Sequence, residues 1–507
     1  MLESFAIGFQ LMFTPTAFLL IIGGVCIGIL FGASPGLTAS MGMAFMLPLT
    51  YILDPISAMA LLIGLYIGGS SGGVITAILI NIPGTPSSIA TTFDGYPMSK
   101  NGEPGKALGL SNIASFVGGM LSLVVLFLTA PILSSFAIKF GPPDYFAVSF
   151  LALVLIAGLA GDSMLKGLLS GLVGLMFATI GPAPLDNTSR FTMGISSFND
   201  GFQLLAVLVG VYAVAELIKY SETSYDGGEN ITYHGAKIKG FGVKLSEFKG
   251  QIVNLLRSTA IGTGIGILPG VGGGTSNILS YTVAKNFSKH PEKFGTGIKD
   301  GIIASESANN AVTGGAMVPL LTLGIPGDAG TAILLAALTL HGIAPGPLVF
   351  ESYGDMIYGL FAALVIANIA MILLQTWGIN IFVKLVAIPK HYLYSVILVL
   401  CVIGALGMNN RIFDVASILI SGLIGYVLYK FDFSLTPLIM GFILGPIVEI
   451  NLLRGLMFTD GSFLAFFDRP ITATFLSLSF LYIIYVTITS IRKHLKGRVS
   501  INNGASQ

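Results

Sequence analysis

The stretch GASPG, Gly32–Gly36, fits the pattern G-x-S-x-G, which in hydrolases can present a nucleophilic serine on a sharp turn. Such a serine needs a base within hydrogen-bond reach. The histidines are His234, His290, His341, His391 and His494, and most fall in or near expected loops. A second stretch, LPG at Leu268–Gly270, keeps the Pro-Gly pair but has leucine where Ser34 stands. What is repeated is a backbone shape, not a nucleophile. The chain is therefore expected not to be an enzyme, with an intramembrane serine hydrolase as the alternative from a different class.

The Pro-Gly shape has its own chemistry. A helix that stops there exposes unpaired C=O groups, and the next helix start exposes unpaired N–H groups. N–H ends favour anions, and C=O ends can coordinate a small cation such as Na⁺. Four such breaks are present: Pro35–Gly36, Pro83–Gly84, Pro269–Gly270 and Pro326–Gly327. Hydroxyl and amide residues crowd them: Ser34, Thr38 and Ser40; Thr85, Ser87 and Ser88; Thr275, Ser276 and Asn277; Asp328 and Thr331. None of the four tips carries Lys or Arg. Neutral donors can hold a carboxylate and release it again, as a carrier must. The competing reading is that small residues here permit close helix packing, and both stay open.

The elements that hold these breaks follow from composition. Of 507 residues, 54% are hydrophobic and 10% charged, where a soluble domain carries about a quarter charged. Long Leu/Ile/Gly/Ala runs recur from Phe18 to Ile488. At about 20 apolar residues per span, the fold class is an all-α polytopic membrane protein with about 12 transmembrane segments. A membrane β-barrel would alternate in short segments instead. The start, MLESFAIGFQLMF, lacks the basic region of a cleavable signal peptide. Net charge is +1, which gives no electrostatic case for nucleic acid. Cys26 and Cys401 lie in apolar runs and read as packing residues.

Three short matches recur in the same order: SPG with LPG, NIPG (Asn81–Gly84) with GIPG (Gly324–Gly327), and SGLVG (Ser170–Gly174) with SGLIG (Ser421–Gly425). Their separations grow slowly along the chain, as two copies with small insertions would give. The expected organisation is a first repeat over 1–218, an inter-repeat loop over 219–257, a second repeat over 258–450, and a C-terminal helix with a basic tail over 451–507. Lys219–Arg257, Lys285–Lys299 and Arg492–Arg498 are rich in Lys and Arg and are expected on the cytoplasmic side. Ser258–Ala284 between two of them is too short for two crossings of about 20 residues each. It is expected to enter the membrane and turn back at LPGVGGGTSN, which needs shielding by protein or a wet cavity. The first copy has no Lys or Arg before Lys100, so an inverted copy would place its hairpin, roughly Ile21–Leu49, entering from outside. Inverted repeats with broken helices are the pattern of secondary transporters.

Other polar residues are weaker signals. Glu306, Asn309 and Asn310 lie at helical spacing in ASESANNAVTGG, Ala304–Gly315. They could line the solute path, with the acid as a proton or cation site, or the segment could still be leaving the preceding loop. Asp94, in DGYP, is expected to end a helix in a turn. GTGIG and GVGGG follow no strand and carry no dinucleotide reading. Trp377 and Lys384 are expected at an interface, before a restart at PKHY.

With these residues in view, the chain resembles the large membrane subunit of the tripartite tricarboxylate transporter family (TctA type). The resemblance rests on SPGLTASMGMAFMLPLTYILDPISA, NIPGTPSSIATTFDGYPM, LPGVGGGTSN, SKHPEKFG, ESANNAVTGG, LTLGIPG and APGPLVF, from about residue 20 to residue 350. It implies a secondary importer of the bacterial inner membrane with no cofactor, driven by a Na⁺ or H⁺ gradient. It also implies a periplasmic solute-binding protein and a small four-helix membrane subunit as partners, and a carboxylate such as citrate as substrate. A TRAP-type large subunit is the nearest alternative. The family's Pro-Gly motifs map onto Pro35–Gly36, Pro83–Gly84, Pro269–Gly270 and Pro326–Gly327. Expected solute contacts are these with Ser34, Thr38, Thr85, Ser87, Thr275, Ser276 and Asn277. Expected cation ligands are Glu306, Asn309, Asn310 and Asp328. Thr38 and Asp328 depart from the residues common in relatives.

Overall fold

The structure, a computed structural model, describes residues 2–159, 163–225, 242–386, 399, 402–403, 405–406 and 410–504. His234, His391, Cys401 and the PKHY restart lie outside the described residues. The described chain is 79% helical. Among these residues eight helices are long and apolar enough to cross a membrane, which makes this an all-α polytopic membrane fold. Five shorter apolar helices of 10–17 residues accompany them.

The helices in order are α1 (Leu2–Met12), α2 (Pro15–Ala33), α3 (Ala39–Thr50), α4 (Pro55–Gly72), α5 (Val74–Ile80), α6 (Ile89–Lys100) and α7 (Pro104–Ala137). Then come α8 (Pro142–Leu159), α9 (Met164–Thr179), α10 (Leu204–Val209), α11 (Ala215–Tyr225), α12 (Ile252–Ile267) and α13 (Gly272–Asn286). The last are α14 (Lys299–Leu323), α15 (Ala329–Leu340), α16 (Val349–Ser352), α17 (Gly354–Val386), α18 (Ile412–Lys430), α19 (Leu435–Phe458) and α20 (Pro470–Gly504). Start signals are local. Asp54 caps α4 by accepting from the N–H groups of Ile56 and Ser57, both at 3.1 Å. Pro55 follows at the first helical position, where its missing N–H costs nothing.

Two compact units form, Met1–Ile138 with Leu205–Tyr426, and Lys139–Leu204 with Val427–Gln507. In the first unit, α2 lies on α4 through small residues. A Cβ at Gly24, Gly28 or Gly32 would stand 2.3–2.5 Å from the carbonyl oxygens of Leu61, Leu65 and Gly69. The rising register means that α2 and α4 run the same way. The pattern recurs in α12, where a Cβ at Gly262 or Gly266 would stand 2.2 or 2.5 Å from the Ala308 and Val312 carbonyl oxygens of α14. On α13, Ser276 and Ser280 donate to the Ala308 and Ala304 carbonyls at 3.2 and 2.9 Å. That register falls, so α13 runs opposite to α14 and to α12. The chain therefore reverses at Leu268–Val271, as the hairpin reading of Ser258–Ala284 expects. Each arm is about 24 Å long at 1.5 Å per residue, short of the roughly 30 Å hydrocarbon core.

The third sequence match is a packing device. Ser170 donates to the Ser434 carbonyl at 2.6 Å, and a Cβ at Gly174 would meet the Leu438 carbonyl oxygen at 1.8 Å. In the first unit Ser421 and Gly422 pack on Gly210–Val214, a five-residue π-helical stretch between α10 and α11. In the second unit, fully buried Asp144 accepts from Arg469, from Thr472 at 2.5 Å and from the Gly141 N–H at 2.9 Å. A buried acid kept this way is tolerable because its charge is paired and its lone pairs are filled.

Several sequence expectations need correction. Asp94 does not end a helix: α6 continues through DGYP to Lys100, with Pro97 inside it. The Asp94 side chain is fully buried. Its Oδ1 accepts from the backbone N–H groups of Gly295, Gly297 and Ile298 at 2.9–3.0 Å, and its Oδ2 from the Tyr281 hydroxyl at 2.9 Å. The Lys285–Lys299 loop is thereby tied down, with Phe294 buried against Tyr281. Lys219–Tyr225 is helical rather than loop, and Arg257 already belongs to α12. Ala304–Gly315 is buried helix, not an emerging loop end. The basic stretch Arg492–Arg498 continues the α20 helix. A two-stranded antiparallel ladder, Gly181–Pro182 with Ser189–Arg190, was not foreseen.

Candidate solute and ion site at the Pro-Gly breaks

All four breaks lie in the first unit. At the first, α2 ends at Ala33, Ser34 is extended (φ −86°, ψ 110°), and Gly36 has φ +85°. At the third, Leu268 is extended (φ −80°, ψ 117°) and Gly270 has φ +75°. A positive φ is where glycine is the default residue, which explains why glycine is kept while serine is exchanged for leucine. The Ser34 hydroxyl donates to the Leu30 carbonyl at 2.8 Å.

The other two breaks also share a conformation. Asn81 (φ 60°) and Gly324 (φ 70°) close α5 and α14 in the left-handed region. Past the Pro-Gly pairs, Thr85 and Asp328 are both extended and each builds a reciprocal capping box, with Ser88 and Thr331 respectively. Asp328 therefore does what Thr85 does, accepting from the Thr331 N–H at 2.8 Å.

Backbone contacts draw the breaks together. A Cβ at Gly84 would stand 2.1 Å from the Gly32 carbonyl oxygen, and one at Gly327 2.5 Å from that of Gly266. The Gly270 N–H donates to the Gly327 carbonyl at 2.7 Å. Side chains cross between the sequence halves as well. Tyr66 of α4 donates to Asp328 at 2.7 Å, and Asn309 of α14 donates to the Ser70 carbonyl at 2.9 Å. A Cβ at Gly273 would be wedged between Ser87 and Asn309, at 2.9 and 2.8 Å.

Burial sorts the sequence-derived residues. Gly36 is exposed, while Ser34, Pro35, Thr38, Pro83, Ser87, Pro269, Gly270, Thr275 and Asp328 are half-buried. Gly84, Thr85, Ser276, Asn277, Glu306, Asn309, Asn310, Pro326 and Gly327 are buried. Thr38 caps α3 by accepting from the Met41 N–H at 3.2 Å, and Thr85 meets the Ser87 hydroxyl at 3.0 Å. Asn277 accepts from the Ala90 N–H at 2.7 Å and donates to the Thr91 hydroxyl and the Ser305 carbonyl at 3.3 and 3.1 Å. It caps the first turn of α6 from a neighbouring helix. The first N–H groups of a helix have no intrahelical partners, and at Gly272–Gly274 no side-chain cap from the described residues serves the start of α13.

Behind the tips lies a buried polar stripe on α14. Glu306 accepts from the hydroxyls of Thr91 and Ser115, the latter at 3.0 Å. Sequence reasoning missed Tyr66, Ser70, Thr91 and Ser115 as neighbours of the candidate site. Each is a lone hydroxyl or aromatic on an apolar helix, and only the tertiary fold brings it to the stripe.

Comparison with known proteins gives the chain a family. The model of the tripartite tricarboxylate transporter TctA family matches residues 18–440. An uncharacterized 52.8 kDa protein of the TAR-I ttuC' 3' region of Agrobacterium vitis is 35% identical over 492 residues, covering 97% of each chain. An uncharacterized protein of the TAR-II ttuC' 3' region of the same organism is 38% identical over 231 residues, 46% of this chain and 96% of that one. No solved structure matches. A match over most of the length, on a fold that gathers all four Pro-Gly breaks, makes this chain a member of the tripartite tricarboxylate transporter TctA family.

Proposed function

We propose that this chain is the large membrane component of a binding-protein-dependent secondary importer of carboxylates in the bacterial inner membrane. A periplasmic solute-binding protein delivers the solute, a small four-helix membrane subunit completes the carrier, and a Na⁺ or H⁺ gradient drives uptake. The chain consists of two inverted repeats, 1–218 and 258–450, joined by a cytoplasmic loop over 219–257 and followed by the C-terminal segment 451–507. The observation that carries this reading is the convergence of four Pro-Gly breaks whose backbones match in pairs. Their half-buried hydroxyls and the uncapped start of α13 are neutral donors suited to a carboxylate.

Ser34, Thr38, Ser87 and Thr275 are the side chains that reach the solute. Thr85, Ser276 and Asn277 hold the tips in shape behind them. Uptake of radiolabelled citrate into proteoliposomes holding both membrane subunits tests the proposal, with the binding protein and an inward Na⁺ gradient each added or withheld. Uptake that needs both is expected. A hydrogen bond to a charged solute contributes about 1.5–3 kcal/mol, so Thr275→Val or Ser87→Ala should slow uptake roughly 10- to 100-fold. Full uptake in Ser34→Ala, Ser87→Ala and Thr275→Val alike would remove the site assignment.

A further inference from the structure

Among the buried polar groups around α14, which include partnerless oxygens of Ser111, Asn112, Ser258 and Thr259 on the neighbouring α7 and α12, three bear on one place. Glu306 is fully buried, and its partners are neutral: the hydroxyls of Thr91 and Ser115 and the amide of Asn309. One turn further along α14, fully buried Asn310 donates through Nδ2 to the Glu306 carbonyl at 3.5 Å, while its Oδ1 has no partner among the described residues. On α17, fully buried Asn368 donates through Nδ2 to the Leu364 carbonyl at 2.9 Å, and its Oδ1 also has no partner among the described residues. In both residues the bond from Nδ2 to the preceding turn sets which way the amide points. Buried acceptors without donors are rare and costly.

The register of α7 places Glu306 beside Ser115 and the two amides within about one turn of it. Ser115 meets Glu306, a Cβ at Gly118 would stand 2.2 Å from the Ser307 carbonyl oxygen, and one at Gly314 would stand 2.4 Å from the Ser122 hydroxyl. Asn310 therefore lies between Ser307 and Gly314 at the height of Gly118–Ser122. Asn368 Oδ1 arrives at that height from α17, where a Cβ at Gly119 would stand 2.4 Å away. Asn309 and Asp328 are already engaged, with the Ser70 carbonyl and with Tyr66 and Thr331.

We propose that Glu306, Asn310 and Asn368, with the Ser115 hydroxyl, bind a sodium ion inside the first unit, one turn behind the solute tips. The proposal rests on the reading of the chain as an ion-coupled carrier. Water at this place would serve the two amide oxygens but leave the carboxylate charge. A proton on Glu306 would remove the charge but supply a donor for at most one of the two amide oxygens. A sodium ion does both, and an all-oxygen ligand set suits a hard cation.

The test is thermal unfolding of the purified full-length chain in lipid nanodiscs, titrated with NaCl against KCl and choline chloride at matched ionic strength. The expected result is a saturable rise in Tm with Na⁺ alone. In Asn368→Leu and Glu306→Gln the apparent sodium affinity should fall by about tenfold or more, the equivalent of about 1.4 kcal/mol. Gly119→Ala, which presses on the flexible end of Asn368 rather than on backbone, should weaken sodium in the same direction if the leucine variant does not fold. No sodium-specific rise in the unmodified chain, a rise retained in Asn368→Leu and Gly119→Ala, or stabilisation by acid in place of sodium would each overturn the proposal. Uptake that ignores the ion gradient would sink the carrier reading instead and leave this binding measurement standing.

Discussion

Alanine at Gly84 is expected to abolish uptake and to lower the yield of folded protein, and alanine at Gly327 to do the same. A Cβ at Gly84 would sit 2.1 Å from the Gly32 carbonyl oxygen and 2.8 Å from the Gly73 Cα. At Gly327 the distances are 2.5 Å to the Gly266 carbonyl oxygen and 2.6 Å to the Ala316 Cα. These neighbours are backbone atoms, so no rotamer change relieves the clash. Ordinary overpacking costs about 1–3 kcal/mol, and contacts of backbone on backbone belong at or above the top of that range. Gly264 supplies the control, because nothing lies within 4 Å of a Cβ built there. Gly264→Ala in the body of α12 should be neutral or stabilise by roughly 0.5–1 kcal/mol. Thermal unfolding of the three variants beside citrate uptake checks the set. Wild-type Tm and uptake in Gly84→Ala would mean that the second break does not lie against α2.

The paired losses matter because they bear on how much of the site was legible. SPG and LPG announce themselves in the sequence, and so do NIPG and GIPG, because a turn with positive φ or a close backbone approach tolerates almost nothing but glycine. The equivalence of Thr85 and Asp328 was not legible. An acid beside a carboxylate site looks like a ligand or a repulsive charge, whereas here its geometry is that of a capping residue with a tyrosine on its second oxygen. The apolar runs gave the membrane class, but not the short arms. Helices such as α3 and α15 have the composition of a span and only half its length, and a run of apolar residues does not say where within it the chain reverses. Cross-half bonds such as Thr91 to Glu306 were beyond reach for another reason. Their partners lie far apart in the sequence, and a single hydroxyl in an apolar helix carries no sign of what it faces.

Asp94 shows the same limit in its sharpest form, and its replacement is the second large effect. In Asp94→Ala the N–H groups of Gly295, Gly297 and Ile298 and the hydroxyl of Tyr281 lose their common acceptor. Hydrogen bonds to a charged group contribute about 1.5–3 kcal/mol each and are not additive, so a loss exceeding about 3 kcal/mol is expected. The first consequence is local. Lys293 is exposed but its neighbour Phe294 is buried against Tyr281, so a protease can take this site only when the loop lifts. Where opening is fast relative to cleavage, the rate follows the open population. A loss of more than about 3 kcal/mol would then speed trypsin cleavage after Lys293 by more than roughly 100-fold. Asp94→Asn keeps an acceptor for the three N–H groups and should fall between the two. The second consequence reaches the site, because the carboxylate lies against the start of α14, where a Cβ at Gly301 would be 2.2 Å from Oδ2. Releasing the loop loosens the register of α13 and α14 on α6, and with it the bonds from Asn277 to Ala90 and from Thr91 to Glu306. Uptake should therefore fall in step with cleavage across the Asp94 series. Faster cleavage with uptake untouched would confine Asp94 to the loop and separate it from the transport machinery.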